Sequence, residues 1–305
     1  MKKLGSPEIF DNNSECPETS WGKKFRNTRL VFRKQDGKLE FHTYGGDHRP
    51  HAFISQIKRA DKDAMFNDFD YVRLYTTDNN PGYNMVECST EPVFSQCYID
   101  KEVECYPDTF KQEQYHKDLV CCPDFNFSNW LNFNHAKMYD DLLDLKLQDD
   151  VMPKICWRGA ARMESRRNLC KLTQKYPDYI DAYHVGGENQ QHRMSLFDTF
   201  KNYKYVIDTQ AFGFSGRLKY LLLSGRLLFL QCHYHKCFFE KSLDPWVHYI
   251  PVAYDFSDII EKIKWAKSNE EECKQIIDNT LKFARLTFSV PNINQIWKKL
   301  LNNES

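Results

Sequence analysis

The chain has 305 residues, enough for two domains with cores of their own. Lysine plus arginine equals aspartate plus glutamate at 42 each, so the net charge is zero and the basic surplus of a non-specific nucleic-acid binder is missing. No apolar run reaches membrane-spanning length, since the longest, Leu218 to Leu230, is broken by Lys219, Ser224, Gly225 and Arg226.

Residues 1 to about 28 are polar and read as an irregular lead-in, with two lysines but no apolar stretch behind them. The segment LVFRKQDGKLEFHTY alternates apolar and polar residues around Asp36-Gly37, the signature of a β-hairpin. His51 to Met65 carries helical spacing at Phe53, Ile54, Ile57, Ala60 and Ala64. Tyr71 to Tyr75 reads as a strand running into the turn-rich TTDNNPG. Val93 to Cys97 and Leu119 to Cys122 read as short strands, and Tyr139 to Leu147 as an amphipathic helix.

From Lys154 the pattern becomes a regular alternation. KICW is a strand and RGAAR a loop; Met163 to Lys175 is a helix, Ile180 to Val185 a strand, Met194 to Lys201 a helix and Tyr205 to Ile207 a strand. A glycine loop with Gly213, Ser215, Gly216 and Arg217 follows, then a helix from Leu218 and strands at Leu227–Leu230 and Tyr249–Val252. Alternation of this kind predicts an α/β fold with a parallel, doubly wound sheet. The tail reads as helical, with capping boxes at Asp258-x-x-Glu261 and Ser268-x-x-Glu271. The break near Gln148 to Pro153 separates the two patterns. It predicts a first domain over 1–148, a ligand-binding domain over 149–275 and a terminal helix over 276–305 that packs back on the first domain.

Strand, glycine loop, helix, strand is an arrangement that cradles phosphate, through loop N–H groups and the positive helix end. Arg217 adds a fixed charge there, and Arg158 with Gly159 follows KICW at a second strand end. Two such loops open on one crevice, so a bound phosphate or diphosphate is expected, held by two arginines and a helix N-terminus with no metal. GFSGR is neither GxxxxGK[ST] nor GxGxxG, which disfavours a P-loop ATPase and a nicotinamide site. Asp78, at a strand end, has the chemistry of a general base, but a turn aspartate is the commoner fate of such a residue; Asp124 in PDFNFSNW is equally ambiguous. His233 and His235 lack a third metal ligand at suitable spacing and read as loop residues. The eleven cysteines form no CxxC pair and read as reduced thiols, which together with the leaderless N-terminus predicts a cytoplasmic protein.

The run YKYVID…GFSGRLKYLLLSGRLLF…LDPWVHYIPV…SDIIEKIKWAKSNEEE strongly resembles glycosyltransferase family 90. CWRGAARMESRR resembles that family's W/F-R-G segment with its following arginines, and DYVRLYTTDNNP, VFSQC and CCPDFNFSNW look like degenerate forms of its upstream blocks. The resemblance spans roughly residues 68 to 290. It implies a GT-B fold, two Rossmann-like domains facing across a cleft, and an inverting, metal-independent transfer from a UDP-sugar to a hydroxyl of a glycan or glycoprotein. By motif it implies that Arg158, Gly159, Gly213, Phe214, Ser215, Gly216 and Arg217 hold UDP and that Asp78 is the base. Where the family usually has Glu-Phe-Phe this chain has Cys237-Phe238-Phe239; if that glutamate contacts the ribose or donor sugar, Glu240 or a different residue must take its place. The compact form looks like the xylosyltransferases of large algal viruses, which implies UDP-xylose over UDP-glucose. The rivals are a non-catalytic nucleotide- or carbohydrate-binding protein and a phosphotransferase.

Overall fold

A computed structural model of the chain describes residues 30–43, 49–64, 69–75, 93–106, 119–130, 133–211 and 213–302. In chain order the elements are β1 (Leu30–Gln35), β2 (Lys38–Thr43), α1 (Arg49–Ala64), β3 (Phe69–Tyr75), β4 (Val93–Ser95), β5 (Tyr98–Ile99), β6 (Leu119–Cys121), β7 (Asn129–Trp130), β8 (Phe133–Asn134) and α2 (His135–Leu143). They continue with β9 (Met152–Gly159), α3 (Glu164–Lys175), β10 (Ile180–His184), α4 (Leu196–Asn202), β11 (Tyr203–Asp208), α5 (Leu218–Leu222), β12 (Leu227–Gln231), β13 (His235–Lys236), β14 (Ile250–Val252), α6 (Ile259–Ser268), α7 (Glu270–Thr287) and α8 (Val290–Asn302).

Two five-stranded sheets organise these elements. The first has the order β2-β1-β3-β4-β6. Its hairpin closes where Gln35 faces Lys38, with Asp36 at φ 50° and Gly37 at φ 70°. Two successive left-handed residues make the twist of this turn match that of the strands. Phe32 and Phe41 stack across the hairpin at 5.9 Å, on the face that α1 covers with Phe53. Strands β3, β4 and β6 are mutually parallel, so the chain leaves all three on the same edge.

The second sheet is wholly parallel, in the order β10-β9-β11-β12-β14. The chain passes from β9 outward to β10, then crosses back to β11 on the other side. Between β9 and β11 the strand order therefore reverses, and the loops leaving these two strands diverge. Alternate residues of β12 enter different cores. Leu227 and Phe229 pack with Ile155, Trp157, Ile250 and α6, whereas Leu228 and Leu230 join a cluster shared with Leu218 of α5, Phe32 and Phe94. The second cluster is continuous between the two sheets. Helix α8 lies on α1, where Trp297 Nε1 donates to Gln56 and Asn294 donates to Asp63 at 2.7 Å.

Three local expectations are corrected. Helix α2 begins four residues earlier than its apolar spacing suggests, because Asn134 accepts from the Lys137 N–H at 2.9 Å and starts the helix there. Neither capping box forms. The Asp258 carboxylate takes the Ala253 N–H and Lys262 Nζ, and Ser268 is the last residue of α6, with Asn269 opening α7. Helix α5 is only Leu218–Leu222, a turn and a half, so it supplies little of the dipole expected at the glycine loop.

Candidate functional site

The point where the strand order reverses is also where the arginines meet. Trp157, Arg158 and Gly159 form the end of β9, since His184 of β10 pairs with Gly159 and prolongs the ladder. The pleat then sends Trp157 and Gly159 to one face and Arg158 to the other. A Cβ on Gly159 would lie 2.9 Å from the Trp157 ring, so glycine is required here to admit that indole. Sequence reasoning assigned this space to a ligand.

Arg217 spans the crevice between β9 and β11. Its Nε donates to Asp208 at 3.0 Å and its Nη1 to the Arg158 carbonyl at 2.8 Å. Its Nη2 makes no hydrogen bond among the described residues. The guanidinium lies 5.5 Å from the Trp157 ring centre. Arg166, in the first turn of α3, approaches the same ring at 5.7 Å. It donates to the Gln210 carbonyl at 2.9 Å and to Thr209 Oγ1 at 3.2 Å, bracing the chain just beyond β11. Burial, and then the charge of Arg217, bring its pKa down to about 10, against the opposing pull of Asp208. Two guanidiniums therefore share one nearby carboxylate, which is only 2% exposed. That surplus of positive charge favours an anion at the reversal point.

Arg158 does not join this pair. Its side chain is 9% exposed, with Nη2 on the Asp181 carboxylate at 2.9 Å, Nε on the His192 carbonyl at 3.0 Å and Tyr183 under the guanidinium at 5.1 Å. Tyr203 also donates its hydroxyl to Asp181. Arg158 thus meets Arg217 through its carbonyl, and its charge is committed to a structural ion pair on the opposite face. Arg158 was expected against a diphosphate; here its guanidinium is paired with Asp181. Arg166, by contrast, was passed over within RMESRR. The available signal was an arginine in the first turn of the helix following the W-R-G strand.

The remaining loop residues lie together. Gly213, Phe214, Ser215 and Gly216 connect the end of β11 to α5, and the Ser215 hydroxyl makes no hydrogen bond among the described residues. Phe214 meets Phe125 edge-on at 6.2 Å, and its backbone faces the Cys97 thiol. A Cβ on Gly216 would meet Asn126 Nδ2 at 2.6 Å. The loop is therefore seated against the exits of β4 and β6 from the first sheet. Asp78 follows the end of β3 by three positions in the sequence and lies outside the described residues.

Asp124 and the histidines have structural partners. Asp124 Oδ2 pairs with Lys219 Nζ at 2.8 Å, and Oδ1 accepts the Asn126 N–H. His233 has an acceptor on each ring nitrogen, the Gln231 carbonyl and the Glu240 carboxylate, both at 2.7 Å. Two acceptors require two N–H groups. Burial opposes the charged ring, and Glu240 outweighs that and raises the pKa of His233. Glu240 also accepts the Cys237 N–H at 2.6 Å, so its carboxylate is engaged within the protein. Among the described residues no group of three or more His, Cys, Asp or Glu could hold a metal ion, and no helix is long and apolar enough to cross a membrane.

Human protein O-glucosyltransferase 3 is 35% identical over 129 residues, covering 39% of this chain and 25% of that protein. Zebrafish (Danio rerio) protein O-glucosyltransferase 2 is 36% identical over 139 residues, 42% of this chain and 28% of its own length. The chain thus spans little more than a quarter of these curated relatives. A crystal structure of TarM superposes with a TM-score of 0.45 at 10% identity, covering 71% of this chain and 51% of that one. Residues 58–305 match the model of Glycosyl transferase family 90, and the chain belongs to that family.

Proposed function

We propose that this protein is an inverting glycosyltransferase that moves a sugar from a UDP-sugar to a hydroxyl of a glycan or glycoprotein acceptor. Xylose is the favoured sugar. Glucose stands beside it because the relatives are named protein O-glucosyltransferases. The observation that carries the reading is the Arg166–Arg217 pair, two cations about one buried carboxylate where the strand order reverses. A pyrophosphate matches that charge and needs no metal between itself and the guanidiniums.

In this reading residues 149–275 hold the donor in a GT-B arrangement, residues 1–148 present the acceptor, and residues 276–305 return to the first half. Asp78 removes the proton from the acceptor hydroxyl as its oxygen attacks the anomeric carbon from the face opposite UDP. The bond to the β-phosphate oxygen breaks, and configuration inverts. Arg217 and Arg166 stabilise the charge that grows on the departing diphosphate. The Ser215 hydroxyl and the backbone of Gly213, Phe214 and Gly216 line its approach. With α5 so short, the guanidiniums carry most of this stabilisation.

A donor screen by UDP release, with product anomer read by NMR, tests the proposal. Release from UDP-xylose or UDP-glucose that depends on acceptor and persists in chelator is expected. Selective thermal stabilisation by UDP without transfer from any donor would indicate a binding protein instead. Strict dependence on Mn²⁺ would contradict the metal-free account. Arg217→Ala is expected to lower turnover on the order of 100-fold or more, because a donor aimed at developing charge is lost. Unchanged steady-state kinetics in that variant would remove Arg217 from the site.

A further inference from the structure

Burial holds most of the described cysteine thiols protonated. Cys97, Cys121, Cys122 and Cys237 are all pushed upward, with desolvation as the largest cause. Cys105 and Cys232 differ. They are 127 positions apart, yet their sulfurs share a hydrogen bond at 2.7 Å. Backbone pairing brings them together. Tyr98 and Ile99 of β5 pair antiparallel with Lys236 and His235 of β13, and the Asp100 N–H extends that ladder to the Tyr234 carbonyl at 2.8 Å. Cys232 is held on its other side, its N–H donating to the Val252 carbonyl at 2.7 Å as a continuation of β12 beside β14. Tyr106 then closes edge-on over Tyr234 at 5.9 Å.

Both sulfurs are half-buried, and Cys232 lines a cavity of about 420 Å³ together with Glu102, Val103, Lys236, Tyr249 and Lys262. A small reagent therefore has a route to Cys232. The hydrogen bond from Cys105 favours the Cys232 thiolate. Lys236 and the His233 imidazolium act the same way, and its pKa falls to about 6 against the effect of burial. Cys105 moves in the opposite direction, as the donor to that thiolate.

We propose that Cys105 and Cys232 are a reversible disulfide site, formed by exchange with a low-molecular-weight disulfide of the glutathione type, that joins the segment after β5 to the end of β12. The Cys232 thiolate attacks one sulfur of the small disulfide, whose S–S bond breaks and releases one thiolate with the electron pair. Cys105 gives up its proton to solvent and attacks the Cys232 sulfur of the mixed disulfide. The Cys105–Cys232 bond forms and the second small thiolate departs. Two protein thiols are oxidised and one small disulfide is reduced to two thiols. The bond ties a segment of the first half of the chain to the second sheet.

The test uses the whole protein in glutathione buffers of graded oxidised-to-reduced ratio, quenched by alkylation and mapped by peptide mass spectrometry. A peptide linking residues 105 and 232 is expected, rising with the ratio and lost on addition of dithiothreitol. Cys105→Ser is expected to accumulate a glutathione adduct on Cys232, because the resolving thiol is gone. Cys232→Ser is expected to show neither the link nor an adduct at Cys105. Both readouts are independent of sugar transfer, so failure of the glycosyltransferase reading leaves them unchanged. Absence of the linked peptide under fully oxidising conditions, or equal linkage of Cys232 to several cysteines, would overturn the proposal.

Discussion

Exchanging Asp78 for asparagine is expected to lower sugar transfer by roughly 100- to 10,000-fold while UDP binds with near-normal strength. Asparagine keeps the size and hydrogen-bonding reach of the side chain but cannot accept a proton. The support is topological. Strands β3, β4 and β6 run parallel, and the exits of β4 and β6 touch the glycine loop through Cys97, Phe125 and Asn126. The chain leaves β3 at Tyr75 on that edge, and Asp78 follows three positions later in the sequence, outside the described residues. Transfer rates and UDP affinity should be measured on the same preparation. Near-normal transfer by Asp78→Asn would rule out this base, and loss of UDP binding would place the residue with the donor.

Breaking the Asp124–Lys219 pair is expected to destabilise the fold by about 3–5 kcal/mol, through either Asp124→Asn or Lys219→Met. The two side chains are 2% and 1% exposed. Lys219 Nζ also donates to the Gly216 carbonyl at 2.9 Å and stands 4.5 Å over the Phe127 ring. Gln56 of α1 donates to the Asp124 carbonyl at 3.0 Å. One buried ion pair thus ties the glycine loop to the exit of β6 and to α1. Removing one partner leaves the other charged and without water. The double variant should recover much of the loss, because no buried charge is then left uncompensated. Denaturant unfolding of the two single variants and the double variant measures this directly. Single variants within about 1 kcal/mol of the parent would show that water reaches the site.

Local features were legible in the sequence where neighbouring residues alone decide them. Asp36-Gly37 specifies its turn because only certain residues accept successive positive φ values, and the hairpin forms about it. The apolar runs of β11 and β12 and the alternation after Lys154 announce a parallel sheet because strands covered on both faces have no polar side to show. The start of α2 was misplaced because one asparagine cap outweighed a weak apolar period. The failed capping boxes show the converse, since Asp258 found stronger donors in Ala253 and Lys262.

By itself the sequence determined the α/β class, the strand–loop–strand framework and the family, all of which follow from short-range pattern and from runs of residue identity. Tertiary structure alone decided which arginines share the crevice. Pairing with β10 prolongs β9 through Gly159 and so turns Arg158 to the far face, while Arg166 reaches Gln210 across 44 positions of chain. The direction of a side chain at a strand end depends on how far its neighbour extends the ladder, and that neighbour is distant in sequence.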